Sequence, residues 1–343
     1  MSARRDTQPE LTFDGGHLEL NAEKIEKRLS EIWQQASAGY KSEMPIAKIC
    51  LSNMLVVTDA LARPEAEQLA NEVALRYPSR VFLLVVDELQ GAYSAFVRTS
   101  CSRDAESGTI RCFEVVELLA DIGRIDFLPG ALRSLLVGSV PVITVDLRAY
   151  QTTPQFDKTI LELSDYYYVN AGVVPSGRLE KRYLPLRWYT TLPVRELIGE
   201  LLGRVNASDC NARPTNIRLY SAPLVDRCSD LLAGWLLARL RSEHPRQQKN
   251  RIIAAYREYQ VEIEMVEQED TTRIAEIQFS DGAVASITNP AAGEFAASFG
   301  NAHLWHRSSG MPLSSYLVEA MQDGSEFAEY AAVVDALDRI AQH

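Results

Sequence analysis

Cysteine and histidine are scarce in this sequence. Its 343 residues include five of each, the cysteines lie far apart, and no two of them form a CxxC pair. An odd, dispersed set of cysteines excludes a disulfide-rich secreted scaffold and a zinc ribbon, and it is typical of a reducing compartment. We therefore expect a cytoplasmic protein without a metal site.

Long apolar runs and an excess of basic charge are also missing. No segment approaches the roughly 20 apolar residues of a membrane-spanning helix, and no apolar stretch follows the basic residues near the start, as it would in a secretory signal. The formal net charge of −11 disfavours a nucleic acid or an anionic membrane as the main partner. The sequence therefore predicts neither of these partners.

The motifs of nucleotide binding and catalysis are absent as well. The first predicted strand–helix junction, residues 57–64, contains no glycine, although backbone amides need glycines there to approach a pyrophosphate. There is no P-loop and no GxSxG elbow. His303 and His306 are three residues apart, not four as in a zinc-protease helix, so packing or surface roles are favoured. We expect no catalytic residue, cofactor or metal.

Aliphatic runs alternate with helical patterns in the first 200 residues. The runs at 48–59, 81–86 and 141–146 contain little polar alternation, which is typical of parallel strands covered on both faces. Two further runs, 93–101 and 110–118, predict an antiparallel hairpin. The fold class that follows is α/β, with a mostly parallel, Rossmann-like sheet that lacks a phosphate loop and carries a hairpin.

Composition and pattern divide the chain into four parts. We predict a polar arm over residues 1–20, the α/β domain over 21–205, a polar linker over 206–214, and a smaller α+β domain over 215–343. Residues 215–343 alternate apolar and polar side chains in several short runs, which predicts an antiparallel meander with one solvent-exposed face.

The strongest pattern in the second domain is an apolar helix over residues 230–240. Gly234 lies next to Trp235 at its centre, and a glycine in mid-helix costs about 1 kcal/mol relative to alanine. We therefore expect another element to pack closely against Gly234.

Cys101 and Cys112 are related by the predicted hairpin. Its midpoint falls at residues 106–107, so simple antiparallel pairing sets the two cysteines opposite each other, within reach of a disulfide after local adjustment. One hypothesis is a reversible redox bridge. The alternative, which the residue types favour, is a pair of small buried hydrophobic side chains.

Carboxylates are frequent between residues 258 and 270. A metal site or acid–base catalysis could use them, but alternation along a strand gives a solvated face more simply. The residues concerned are Glu258, Glu262, Glu264, Glu267, Glu269 and Asp270.

Several segments, in their order and spacing, resemble the glucose-6-phosphate dehydrogenase assembly protein (OpcA) family. The resemblance extends from Lys48 to the end of the Gly-Trp helix. The segments that carry it are residues 50–57, residues 77–81, Cys101 together with 112–114, residues 186–197, and the Leu-Leu-Ala-Gly-Trp-Leu helix.

The resemblance implies a non-catalytic protein that binds glucose-6-phosphate dehydrogenase. Such an allosteric activator favours the active oligomer of the enzyme and raises its activity in the oxidative pentose phosphate pathway. Interfaces depend on aromatic and arginine anchors, which makes Trp188 with Arg195, and Trp305 with His306, candidate partner contacts. The alternative is that both tryptophans are core residues.

A different class of function stays open on the same sequence. A sugar-phosphate enzyme of the isomerase or lactonase type, built on the α/β domain, could bind phosphate through arginines near the sheet edge. Those arginines are more often solvated flanks of strands. They are Arg80, Arg98, Arg103 and Arg111.

Overall fold

The chain forms two compact units, each with its own eight-stranded sheet. The first unit consists of residues 1–170, 180–184 and 313–322, and the second of residues 171–179, 185–312 and 323–343. The computed structural model describes residues 11–19, 21–39, 50–87, 94–103, 110–121, 128–148, 154–170, 182–207, 212–221, 228–241, 245–256, 259–268, 272–291, 294–299, 302–308 and 312–341.

The sheet of the first unit is mostly parallel. Its strands are β1 (Leu11–Glu19), β2 (Ser52–Asp59), β3 (Ser79–Asp87), β4 (Ser94–Arg103), β5 (Ile110–Asp121), β6 (Val142–Asp146), β7 (Tyr166–Val169) and β8 (Arg182–Pro185). Their spatial order is β1-β4-β5-β3-β2-β6-β7-β8. Strands β5, β3, β2, β6 and β7 are mutually parallel, β4 is antiparallel to β5, and β1 is antiparallel to β4. The predicted α/β sheet with its antiparallel hairpin is confirmed.

Helices connect these strands and cover them. They are α1 (Ala22–Gly39), α2 (Arg63–Arg76), α3 (Leu128–Leu135) and α4 (Pro154–Leu163), and the side chains of β2 are buried along its whole length. From β2 the chain continues through α2 to β3 on one side, whereas from β6 it continues through α4 to β7 on the other. The carboxyl ends of β2 and β6 therefore flank a topological switch point, where open α/β sheets bind their ligands.

The polar arm predicted for residues 1–20 is wrong for residues 11–19, because these form the edge strand β1. Gly15 and Gly16 interrupt the apolar–polar alternation by which this strand could be predicted from the sequence. The pairing of β1 with β4 shifts register between Asp14 and His17, and a Cβ atom built on Gly15 would lie 2.4 Å from Cδ1 of Ile32 in α1. Only glycine allows α1 to lie this close to the strand.

The sheet of the second unit is mostly antiparallel. Its strands are β9 (Pro214–Ser221), β10 (Arg246–Gln248), β11 (Arg251–Tyr256), β12 (Tyr259–Glu267), β13 (Arg273–Phe279), β14 (Val284–Ala291), β15 (Glu294–Phe299) and β16 (Ala302–Ser308). Strands β13 to β16 form an antiparallel meander. The predicted meander begins earlier, at residues 256–266, and is corrected there, because β12 does not pair with β13. Strand β9 lies between β12, to which it is parallel, and β13, to which it is antiparallel.

Four helices belong mainly to the second unit, and their placement moves the predicted domain boundary. They are α5 (Leu186–Thr190), α6 (Leu192–Ala207), α7 (Cys228–Arg239) and α9 (Ser325–Ala341). Helices α5 and α6 lie inside the predicted range 21–205 of the first domain, yet α6 contacts β14 and β15. The predicted linker 206–214 is corrected, since α6 runs to Ala207 and β9 begins at Pro214; residues 208–211 lie outside the described residues.

A second correction concerns the far end of the chain. Helix α8 (Leu313–Asp323) belongs to the first unit up to residue 322, although the prediction places it in the α+β domain. Ser314 donates a hydrogen bond to Glu72 of α2 over 2.6 Å. A polar contact across 242 residues leaves no local signal in the sequence.

The close packing predicted at Gly234 is confirmed. Helices α7 and α9 contact each other, and a Cβ atom on Gly234 would lie 2.7 Å from Val333 Cγ1 and 2.9 Å from Leu337 Cγ. Separately, none of the helices in the described ranges is both long enough and apolar enough to cross a membrane.

Candidate functional site

The carboxyl edge of the parallel sheet is the first candidate site, and it is acidic. Strands β2, β3, β5 and β6 end in Asp59, Asp87, Asp121 and Asp146. Asp87 and Asp121 are direct neighbours in the pairing of β3 with β5. Two of these carboxylates, Asp59 and Asp146, are buried.

The carboxylate of Asp146 is neutralised within the protein. Arg148 donates from Nε to Oδ1 over 2.8 Å and from Nη2 to Oδ2 over 2.5 Å, and Tyr167 donates to Oδ2 over 2.7 Å. Burial opposes the charge of Arg148, yet the hydrogen bond and charge of Asp146 raise its pKa above the usual value. Burial, and then the negative charge of Asp146, raise the pKa of Tyr167. Asp146, Arg148 and Tyr167 therefore form a buried, hydrogen-bonded cluster in which the two opposite charges are paired.

Asp59 fixes the turn that follows β2. Its Oδ1 accepts a hydrogen bond from the backbone N–H of Ala62 over 2.9 Å, one residue before α2 begins. Between them Leu61 is 94% exposed. Among the described residues Leu61 is the most exposed large hydrophobic side chain. Leu51, at the amino end of the same strand, is 45% exposed.

The arginines of the enzyme alternative do not form a phosphate site among the described residues. Arg80 is buried, donates to Glu114 over 2.8 Å and to Glu26 over 2.5 Å, and lies at the amino end of β3. Arg98 is paired with Glu67. Arg111 is exposed near the amino end of β5, and the side chain of Arg103 lies outside the described part.

Cys101 and Cys112 are directly opposed in the pairing of β4 with β5, as the hairpin predicts. Their sulfur atoms are joined in a disulfide, and both residues are buried. Phe13 and Trp33 pack against the pair. Whether the bridge opens and closes in the working protein stays a prediction.

The candidate contacts Trp188 and Arg195 lie inside the second unit. Trp188 is fully buried and Arg195 is 3% exposed. The Arg195 guanidinium carbon lies 3.6 Å from the centre of the Trp188 ring, and both side chains bind Glu326: Trp188 Nε1 donates over 2.6 Å and Arg195 Nη2 over 3.1 Å. Their burial favours the core alternative and corrects the expectation that these two side chains face a partner.

A second group of the same composition adjoins the first. Glu329 Oε1 accepts from Trp235 Nε1 over 3.0 Å and from Arg239 over 2.5 Å, while its Oε2 accepts from Arg195 over 2.8 Å. Arg239, Glu326 and Glu329 are not predicted as site residues by the sequence. The two glutamates have one local signal, their i, i+3 spacing in the first turns of α9, which places both on one face,.

A cleft lies beside these two groups, with a cavity volume of about 490 Å³. Its walls come from α6, α7, β9, β12 and the start of α9. The side chains of Trp235, Leu236, Leu240 and Tyr259 give it an apolar wall, and Arg195, Glu329 and Arg239 give it a polar one.

Trp305 and His306 are on β16, with Trp305 paired with Ala297 of β15. Their side chains lie outside the described part, so their role as partner contacts stays a prediction.

The carboxylate row is part of a charge ladder on the second sheet. Glu264 accepts hydrogen bonds from Arg218 over 3.0 Å and from Arg251 over 3.1 Å, and Arg218 also donates to Glu276 over 3.1 Å. The hydrogen bond from Arg218 lowers the pKa of Glu264. Of the predicted acidic row, Glu262 and Glu264 are therefore paired with arginines. Within the described ranges no group of three or more metal-ligating side chains assembles; Glu258, Glu269 and Asp270 lie outside them.

Comparisons with known proteins add little to this geometry. No family profile and no curated protein matches the chain. Among solved structures, a Bacteroides fragilis protein named as a putative oxidoreductase is similar at 9% sequence identity and a TM-score of 0.35, covering 85% of this chain and 97% of that one. A likeness this distant carries no argument about activity.

Proposed function

We propose that this chain is a non-catalytic cytoplasmic protein that binds glucose-6-phosphate dehydrogenase, favours its active oligomer and raises its activity. The choice of partner rests on the resemblance of five ordered segments to the OpcA family. The observation that carries the binding role is Leu61, which is 94% exposed on the turn that follows β2 at the carboxyl edge of the first sheet.

A partner with an apolar pocket would complement Leu61, since a buried anchor inside a ring of polar contacts is how interfaces concentrate their energy. The buried Asp146 carboxylate is already paired with Arg148, so the apolar side chain and not this charge is the feature that a partner would bind.

Activation by binding sets an energetic requirement. To shift a two-state equilibrium from almost fully inactive to almost fully active, the activator must bind the active form more tightly by about 5.5 kcal/mol. A standard protein–protein interface buries about 1,600 Å², so the contact would extend well beyond Leu61.

The proposal is tested by titrating the purified protein into glucose-6-phosphate dehydrogenase. NADPH formation and the mass of the complex are followed together. We expect the rate and the mass to rise over the same concentration range. If neither responds, the proposal is overturned, and if the protein alone converts a sugar phosphate, the enzyme alternative replaces it.

Two exposed leucines, one just before β2 and one in the turn after it, provide a matched pair of variants. Leu61→Ser should weaken activation about tenfold or more, because a buried leucine anchor contributes about 1.5–3 kcal/mol. Leu51→Ser removes a similar exposed side chain at the opposite edge of the sheet and should leave activation unchanged. Equal effects of the two substitutions would assign the contact to another surface.

A further inference from the structure

We propose that a basic segment of the second unit binds an acidic, extended segment of a partner protein. The basic segment is the chain from Arg239, at the end of α7, through β10 to Arg251, at the start of β11. It belongs to the second unit, whereas Leu61 belongs to the first. Binding at the basic segment therefore does not depend on the proposed activation of the dehydrogenase.

The basic segment reverses the charge of the chain locally. Residues 239–251 include five arginine or lysine residues and one glutamate, whereas the whole chain has a net charge of −11. Arg241, Arg246 and Lys249 are exposed, and none of them forms an ion pair with another described residue. Arg239 and Arg251 are also exposed but are already paired with glutamates. Three cations without a described partner are therefore available to carboxylates of another molecule.

Two of these three cations have an unfavourable backbone conformation. Arg241 has a φ of 50° and Lys249 a φ of 57°, and they are the two non-glycine residues with positive φ in the described part of the chain. Glycine is the usual residue just after a helix, as at Arg241, and glycine or asparagine in a two-residue hairpin turn, as at Lys249. A glycine would be more stable at either position. Stability therefore does not explain the two cations, whereas a function for their charge does.

Protection of an edge strand explains only part of this charge. Strand β10 is at the edge of the second sheet, and all three of its side chains are exposed. Cations on such a strand prevent aggregation, and Arg246, within β10 itself, is sufficient for that purpose. Protection does not require side chains at the left-handed positions of Arg241 and Lys249, which lie before and after the strand.

The outer side of β10 is open to an extended peptide. Within the described residues no strand pairs with that side. Gln248 and Arg251 adjoin the two-residue turn and exchange their backbone hydrogen bonds, so the N–H and C=O of the preceding Gln247 are directed away from β11,. A peptide backbone can pair with these groups. A nucleic acid has no peptide groups, and the net charge of −11 opposes it,.

The register of the sheet indicates which residues the bound segment contains. Arg246, Arg251 and Glu264 lie on one face of the sheet, and Gln247 and Ile252 lie on the other,. Ile252 is 2% exposed, so its face of the sheet is covered. A strand added beside β10 would match both faces if its acidic residues lay next to Arg246 and its apolar residues next to Gln247. The ligand that fits is a segment in which acidic and apolar residues alternate.

The test uses a fluorescein-labelled peptide of eight residues, in which glutamate alternates with valine, and the full-length protein. The extended peptide is about 27 Å long, more than the roughly 18 Å that five residues can span between Arg241 and Arg246. We expect one peptide to bind per chain by fluorescence anisotropy, with an affinity that falls as NaCl is added. The analogue with glutamine in place of glutamate should bind about tenfold more weakly.

Two further probes test the class of partner. A peptide N-methylated on alternate backbone amides keeps its carboxylates but cannot pair with β10, so it should bind more weakly than the parent peptide. An eight-nucleotide thymidine strand should bind more weakly too. Equal affinity of the glutamate and glutamine peptides, an unchanged affinity after N-methylation, or tighter binding of the nucleotide strand would each overturn the proposal.

Glycine variants separate the charge of the basic segment from its folding. Arg241→Gly and Lys249→Gly each remove a cation and relieve a left-handed side chain. Each should therefore raise the urea midpoint while lowering the affinity for the peptide about threefold, and the double variant should lower it about tenfold. Arg133→Gln is the matched control, because Arg133 is an exposed arginine of α3 in the first unit, and it should bind normally. A folded double glycine variant that binds the peptide as the parent does would show that the basic segment is not the site.

Discussion

The guanidinium of Arg195 lies between the ring of Trp188 on one side and the carboxylates of Glu326 and Glu329 on the other. Its central carbon is 3.6 Å from the centre of the indole, and its Nη atoms are 3.1 Å and 2.8 Å from the two carboxylate groups. A buried guanidinium needs charge partners and a polarisable face, and here α5 and α9 supply them. This arrangement ties three helices of the second unit together.

Arg195→Met should destabilise the second unit by about 3 kcal/mol. The substitution keeps much of the side-chain volume but leaves the largely buried Glu326 and Glu329 without their main cation, and breaking a buried pair from one side is strongly unfavourable. The free energy of unfolding from urea denaturation measures the effect.

Arg239→Met is the control for that variant, because Arg239 pairs with the same Glu329 from an exposed position. Exposed ion pairs contribute about 0–1 kcal/mol, so this loss should be at most about 1 kcal/mol. If the two variants lose equal stability, burial of the Arg195 guanidinium is not what makes it important.

Gly234→Ala should destabilise the protein, although alanine favours a helix. The added methyl group would lie 2.7 Å from Val333 and 2.9 Å from Leu337, and overpacking of this kind costs about 1–3 kcal/mol. Shortening the side chain of Val333 in the double variant Gly234→Ala/Val333→Ala should restore part of the lost stability.

By contrast, a methyl group added by Gly203→Ala meets nothing within 4 Å, so this variant should stabilise α6 by up to about 1 kcal/mol. Thermal or urea unfolding that ranks the two single variants the other way would contradict this account.

Glu117 and Glu264 should give stability profiles of opposite slope in weak acid. Burial raises the pKa of Glu117 in spite of its ion pair with Arg63. The folded state therefore holds an extra proton between the unfolded and the folded pKa, and its stability falls as pH rises through that window. The pKa of Glu264 is lowered by its hydrogen bond from Arg218, so its contribution is present above the unfolded pKa and is lost as pH falls.

Glutamine variants isolate each effect. The stability of the parent protein minus that of Glu117→Gln should decrease as pH rises across the weakly acidic range,. The stability of the parent minus that of Glu264→Gln should decrease as pH falls,. Urea midpoints at a series of pH values test both slopes. Parallel slopes for the two variants would show that one of the two pKa directions is wrong.

Local patterns were sufficient to predict the main sheet. Continuous aliphatic runs such as 81–86 form buried parallel strands, because only a sheet covered on both faces has room for them. The opposition of Cys101 and Cys112 followed from hairpin symmetry alone. The close packing at Gly234 could be predicted too, because a glycine destabilises the middle of a helix unless another element packs closely against it.

Long-range polar contacts could not be predicted in this way. Arg195 finds Glu326 and Glu329 more than 130 residues further along the chain, and a single sequence gives no sign of that pairing. The sequence alone therefore leaves two alternatives for Trp188 and Arg195, partner contact or core, and the structure places both in a buried cluster. The domain boundary failed for the same reason, because α8 returns to the first unit across 242 residues.

The bridge between Cys101 and Cys112 should add about 3 kcal/mol to stability when it is formed. It closes a short loop, with the two cysteines 11 residues apart, and a cross-link of that length removes about this much free energy from the unfolded state in the chain-entropy model. Reduction should raise the thiol count by two and lower the urea midpoint.

The variant Cys101→Ala/Cys112→Ala should resemble the reduced protein and no longer respond to reductant, whereas Cys50→Ala, which removes a free thiol, should respond as the parent does. In a reducing compartment such a bridge persists only if its potential is low or if it works reversibly. Thiol counts that stay the same after reduction of the denatured protein would exclude the bridge altogether.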